Sequence, residues 1–158
     1  MADQQAMFGA GCFWGVEARF RELTGVTDAE VGYAGGTVEA PSYEQVCTDS
    51  TGHAEVVRVT YDDQKTSFET LVRAFFELHD PTTKNRQGPD VGSQYRSAIF
   101  VKDASERDTA TRVIDELDEA GRFSGPIVTT IEDDAPFWRG EEYHQQYLAK
   151  RGLATCGI

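Results

Sequence analysis

Gln5-Ala6-Met7-Phe8-Gly9-Ala10 runs directly into Gly11-Cys12-Phe13-Trp14-Gly15, and the seam between them organises the rest of the chain. The first six residues are largely apolar and read as a short strand. From Phe13 onward, Phe13, Val16, Phe20 and Leu23 fall on one helical face. Cys12 therefore sits where a strand ends and a helix begins. A helix N-terminus presents unpaired backbone N–H groups and a partial positive charge, which lowers a thiol pKa and makes the thiolate nucleophilic at neutral pH. Gly11 permits the tight turn. Phe13 and Trp14 supply an apolar wall. A small buried cysteine in an aromatic core is the alternative that these five residues leave open.

Outward from that seam, Val26 to Tyr33 alternates as a strand and Ala34-Gly35-Gly36 breaks it. Thr37 to Gly52 is a long loop, with one turn of helix around Tyr43–Val46; loops of this length in a compact domain are functional or mobile. His53 to Tyr61 is the clearest strand, with Val57 and Val59 facing opposite to Val56 and Arg58. Thr66-Ser67-Phe68-Glu69 predicts a capping box. The helix it opens carries Phe68, Leu71, Val72 and Phe75 on one face and ends at His79-Asp80-Pro81. A second polar loop covers Thr82 to Ser93. A strand follows over Tyr95 to Val101, then a helix capped by Asp103 and Glu106. A last strand is predicted over Pro126 to Ile131 and a helix over Glu141–Lys150, with a Gly-flanked tail from Arg151. The order predicts an α/β (α+β) fold: a two-layer sandwich with a mixed sheet on a ferredoxin-like split βαβ plan, with extended loops able to cover Cys12. Residues 1–158 are expected as one catalytic domain, with 151–158 a mobile tail.

The composition narrows the function classes. Fifteen basic against 27 acidic residues give a net charge of −12, which argues against nucleic acid and anionic membranes as partners. The acidity fits either an ordinary soluble surface or one suited to a salty cytoplasm. The opening MADQQAMF has no signal-peptide pattern and no apolar run approaches a membrane span, so a cytoplasmic protein is expected. Three dispersed cysteines, Cys12, Cys47 and Cys156, have neither zinc-finger spacing nor the even count of a secreted disulfide framework.

Three further stretches look chemical. Strand alternation puts His53 and Glu55 on one face. Glu55 enters an apolar strand, where burial raises a carboxyl pKa and lets it act as an acid near pH 7; an edge-strand glutamate pointing to solvent is the alternative these residues leave open. Tyr43, in the long loop, offers a phenol that can donate to a polar oxygen. Gly88-Pro89-Asp90-Val91-Gly92-Ser93-Gln94-Tyr95-Arg96 brings Asp90 and Tyr95 to a loop-to-strand junction.

GCFWG, GYAGG at Gly32–Gly36, TGHAE at Thr51–Glu55, HDPTTKNRQG at His79–Gly88, GSQYRSAIF at Gly92–Phe100, HQQYL at His144–Leu148 and the terminal Cys-Gly together resemble the methionine sulfoxide reductase A family. The blocks run in order over essentially the whole chain. The resemblance implies reduction of the S-epimer of methionine sulfoxide, free or protein-bound; a monomer is expected. It implies roles: Cys12 as nucleophile, Glu55 as the acid to the sulfoxide oxygen, and Tyr43 and Tyr95 as phenols binding that oxygen. Phe13 and Trp14 would hold the substrate methyl, Asp90 would line the substrate site and Cys156 would resolve the sulfenic acid. No metal and no organic cofactor are implied; thioredoxin, or dithiothreitol in its place, would recycle the disulfide. The chain departs from the family at Thr155, Pro89, Val91 and Ser93, and no relay cysteine beyond Cys156 is expected. Cys47 reads as structural.

Other functions fit fewer residues. A thiol peroxidase or redox sensor needs neither Glu55 nor an aromatic methyl pocket. A cysteine hydrolase would pair Cys12 with His53 but wants an orienting Asn or Asp. An acidic binding domain leaves the thiol motif unexplained. A metal site from Cys12, His53, His79 and His144 matches no familiar spacing.

Overall fold

Strand β1 (Asp3–Ala10) occupies the middle of the molecule, and both halves of the fold are built around it. The computed structural model describes residues 3–11, 13–39, 41–48, 51–87, 90–141 and 145, without the side chains of 13–15 and 90. After β1 come α1 (Phe13–Arg21), β2 (Val26–Ala34), α2 (Tyr43–Cys47), β3 (Ala54–Asp62) and α3 (Phe68–Leu78). The two-residue strands β4 (Arg86–Gln87) and β5 (Asp90–Val91) and a 3-10 turn (Ser93–Tyr95) lead into β6 (Ser97–Val101). The chain continues through α4 (Ala104–Glu119), β7 (Thr130–Asp133) and β8 (Trp138–Arg139).

The main sheet runs β7-β6-β1-β3-β2-β8. β3 lies antiparallel between β1 and β2, and β1 lies antiparallel between β3 and β6. Each pair of like-directed strands is thus split by a third, with α1 crossing over in one half and α3 in the other, which is the split βαβ plan. β7 adds a parallel strand beside β6, making the sheet mixed.

Side-chain parity follows the pleat. Ala6, Phe8 and Ala10 of β1, Val57 and Val59 of β3 and Val31 and Tyr33 of β2 share one core with Val16 and Phe20 of α1 and with Leu71, Val72 and Phe75 of α3. Phe8 is its hub: it stacks on Phe20 with ring centroids 5.1 Å apart and meets Phe75 at 5.3 Å. Truncating a ring enclosed in this way costs about 3–5 kcal/mol. The opposite parity, Met7, Ala54, Val56, Ala98 and Phe100, forms a smaller core covered by Ala135 and Phe137.

Several local expectations shift by a few residues. α2 runs one residue further than predicted, to Cys47, and carries its own capping box: Ser42 Oγ accepts from Gln45 N and Gln45 Oε1 from Ser42 N. The box predicted at 66–69 does not form. Ser67 is the N-cap, so the third helical position is Thr70, whose N–H it accepts, and Glu69 turns to Arg73 instead. Tyr95 belongs to the 3-10 turn because its N–H bonds back to Gly92 O, and the ladder starts only at Ser97. The strand predicted over Pro126–Ile131 forms later because Ile127 N donates to Asp118 and Val128 N to Pro81 O; pairing with β6 begins at Thr130. The hairpin of β4 and β5 and the edge strand β8 had no counterpart in the sequence reading. Of the helix predicted over Glu141–Lys150, only Glu141 and Gln145 lie within the described residues.

Candidate active site

The split βαβ topology gathers one end of four strands. The C-terminal ends of β1 and β2 and the N-terminal ends of β3 and β6 lie together, and the loops 35–53 and 79–96 leave from there. Gly9 shows how tight the junction is: a Cβ there would sit 3.1 Å from Arg96 O and 3.4 Å from Glu55 O. The strand that delivers Cys12 therefore passes between the backbones beside Glu55 and Tyr95. Gly11 follows with φ +92°, and a Cβ there would meet Gln87 Cγ at 2.6 Å. Gln87 is buried and grips the Asp80 backbone from both sides, accepting from its N–H and donating to its carbonyl. That amide seats the 79–96 loop on the turn before α1. Cys12 itself lies outside the described residues, between Gly11 and the first residue of α1.

Glu55 is 2% exposed. It pairs across the ladder with the fully buried Tyr33 and shares the face of Val57 and Val59, as the alternation predicted. Tyr43 enters from α2. Burial, first, and then the Glu55 charge push its hydroxyl pKa well up; a hydrogen bond to Cys47 and the proximity of Cys47 and Tyr95 add to the rise. Tyr43 thus stays a protonated donor at neutral pH. Cys47, one turn on, is raised mainly by burial and also by Glu55 and Glu141, with the Tyr43 hydrogen bond opposing. The acid, both phenols and Cys47 therefore share one electrostatic neighbourhood.

Tyr95 is held through its neighbour. Arg96 grips both carboxylate oxygens of Glu132 at 2.9 and 3.1 Å, and its Nη1 donates to Gly52 O and Ser93 O. One guanidinium thus ties the Tyr95 turn to Gly52, two residues before β3 begins and three before Glu55. Such bidentate pairs fix geometry as well as charge.

Both ring nitrogens of each described histidine, His53 and His79, are occupied. His53 Nδ1 accepts from Gly36 N at 3.0 Å, so its Nε2 carries the proton and donates to Val38 O at 2.6 Å. His53 is a strut of the 35–53 loop, and a general base for a hydrolase has no nitrogen left there. His79 donates from Nδ1 to Phe75 O and accepts at Nε2 from Ser97 Oγ. Burial holds its pKa down at about 4, so it is neutral at pH 7. Among the described residues no group of three or more His, Cys, Asp or Glu side chains is placed to hold a metal, and no helix is long and apolar enough to cross a membrane.

The structure thus brings Glu55, Tyr43 and Tyr95 to the junction that delivers Cys12. Cys156, and the side chains of Phe13, Trp14 and Asp90, lie outside the described residues. Sequence reasoning missed Arg96, Gln87 and the Tyr43–Cys47 bond. The last is an i, i+4 pair, visible once α2 is drawn through Cys47.

The architecture is that of a two-layer α/β protein with a polar site at the shared end of its split βαβ units. The family model described as peptide methionine sulfoxide reductase matches residues 4–158, and the chain belongs to that family. The chain is 57% identical over 154 residues to a peptide methionine sulfoxide reductase from Acidobacterium capsulatum, covering 98% of this chain and 99% of that one. It resembles the structure of methionine sulfoxide reductase A of Corynebacterium diphtheriae with a TM-score of 0.83 and 36% identity, covering 98% of this chain and 78% of that one. Mxr1 of Saccharomyces cerevisiae in reduced form gives a TM-score of 0.89 at 36% identity over 95% of this chain and 86% of the other. The same yeast protein in complex with Trx2 gives 0.64 at 25% identity, covering 92% and 84%.

Proposed function

We propose that this protein reduces the S-epimer of methionine sulfoxide, in proteins and as the free amino acid, to methionine, and so repairs oxidised proteins. The observation that carries the reading is the buried Glu55 carboxyl at the sheet end that delivers Cys12, within electrostatic reach of the Tyr43 phenol. A sulfoxide sulfur becomes electrophilic when its oxygen is protonated or strongly hydrogen-bonded. A carboxyl kept from water favours its neutral, donating form, and two phenols add donors that strengthen as negative charge gathers on oxygen.

The Cys12 thiolate attacks the sulfoxide sulfur while Glu55 gives its proton to the oxygen. Collapse releases methionine and leaves oxygen on Cys12 as a sulfenic acid. The Cys156 thiol attacks that sulfur, water leaves and a disulfide forms. A dithiol of the thioredoxin kind then reduces the disulfide by exchange; the structure of yeast Mxr1 with Trx2 supports that class of reductant for this chain. The balance is sulfoxide plus two thiols giving sulfide, disulfide and water. Phe13 and Trp14 hold the substrate methyl and Asp90 lines the site. No metal or organic cofactor enters. The chain acts as one catalytic domain, a cytoplasmic monomer, with 151–158 supplying Cys156.

A thiol peroxidase would use the same cysteine on a different oxidant. Thioredoxin-coupled NADPH oxidation separates the two. Turnover is expected with methionine sulfoxide and only a background rate with hydrogen peroxide; the reverse pattern would replace the sulfoxide reading with the peroxidase one.

A further inference from the structure

Glu141 joins two parts of the site that are far apart in sequence. Its Oε1 accepts from the Tyr33 hydroxyl at 2.9 Å, and its Oε2 accepts from the Tyr43 backbone N–H at 3.0 Å. Tyr33 is fully buried in β2, directly across the ladder from Glu55. Tyr43 is the first residue of α2, and the N–H groups of a first helical turn have no partner within the helix. One carboxylate therefore fastens the start of α2 to the strand beside the acid. The capping box of Ser42 and Gln45 satisfies the helix start locally, and Val46 seats the other end of α2 in the main core. Glu141 adds a polar attachment at the start of the helix, and the charge on it favours both bonds.

We propose that Glu141 is a positioning residue for the reaction: by spanning Tyr33 and the α2 start, it sets where the Tyr43 phenol stands relative to Glu55. The inference rests on the role given to Tyr43 above. The Tyr43 ring packs against the core and its hydroxyl bonds Cys47 within the same helix, so where the phenol stands depends on where the helix start is held; a misplaced donor forfeits stabilisation that depends on distance to the oxygen. Glu141 also lines an open cavity of about 310 Å³ with Pro41, Ser42, Trp138 and Arg139. Water can enter there when the carboxylate is removed, so the fold is expected to survive the substitution.

Two substitutions and one cycle test it. Glu141→Ala removes both acceptors and is expected to lower kcat/KM for S-methionine sulfoxide roughly 10–100-fold, the range of a hydrogen bond to a charged group. Glu141→Gln keeps the span: its amide oxygen can accept from Tyr43 N–H while its amide nitrogen donates to the Tyr33 oxygen. It is expected to stay within about threefold of wild type. Repeating Glu141→Ala on a Tyr43→Phe background should cost less than about threefold, because the donor it positions is already gone. Tyr43→Phe alone, measured beside these, reports separately on the role of Tyr43. An equal loss from Glu141→Ala in both backgrounds, no loss in either, or a Glu141→Gln defect as deep as that of alanine would overturn the proposal. Urea denaturation of each variant identifies any that is unfolded; for such a variant Glu141→Asp, too short to span both partners, takes the place of alanine in the cycle with the same expectations.

Discussion

Glu55→Gln should leave a folded protein whose single-turnover rate on methionine sulfoxide has fallen by about 10²–10⁴, the range expected when a positioned acid is lost. The amide is nearly the same size as the carboxyl and can occupy the same place opposite Tyr33. It can donate a hydrogen bond to the sulfoxide oxygen, so substrate affinity should change little. It cannot hand over a proton as the S–O bond breaks, so the loss should fall on the chemical step. Rapid-quench measurement of methionine released from reduced enzyme, across pH, reads that step directly. A rate within a few-fold of wild type would remove Glu55 from proton transfer and leave the phenols of Tyr43 and Tyr95 as the donors.

Cys156→Ser should release one equivalent of methionine and then stop, with Cys12 held as a sulfenic acid that dimedone labels. The last described anchor before Cys156 is Gln145, whose side chain bonds both the N–H and the carbonyl of Val31 at the edge of β2. The eleven residues from there to Cys156 span at most roughly 36–40 Å, and Val31 lies two strand spacings, roughly 10 Å, from Phe8 of β1 across the sheet. The competing thiol is Cys47, and the structure sharpens the competition because Cys47 bonds Tyr43 and feels Glu55. Its pKa is raised, mainly by burial, which disfavours its thiolate form. Cys47→Ser should therefore turn over with thioredoxin much as wild type does, and peptide mapping of oxidised wild type should find a Cys12–Cys156 link. A Cys12–Cys47 link, with normal recycling by Cys156→Ser, would give the resolving role to the long loop.

Strong local signals account for what the sequence revealed of the site. The period-two pattern of β3 placed Glu55 on the face of Val57 and Val59, and β1 running into an aromatic helix placed the thiol junction. The split βαβ order followed from the succession of elements, and the sheet order agrees with it. What escaped is held by contacts between distant residues. Glu141 is 108 residues from Tyr33 and 98 from Tyr43, and Arg96 is 36 from Glu132. No periodicity encodes such pairings. The two-residue strands β4 and β5 are too short to carry a pattern. His53 looked like a possible base because its backbone partners at Gly36 and Val38 belong to a loop whose path only the fold supplies.

We propose that Glu55, the phenols of Tyr43 and Tyr95 and the aromatic pair Phe13 and Trp14, acting with the Cys12 thiol, recognise a sulfoxide by its handedness as well as its oxygen. Incubating racemic methionine sulfoxide with the protein and dithiothreitol, and resolving the two epimers by chromatography with mass detection, tests this most directly. The expected result is complete loss of the S-epimer, matched by methionine, with the R-epimer untouched. Consumption of both epimers at similar rates, or of the R-epimer alone, would contradict it.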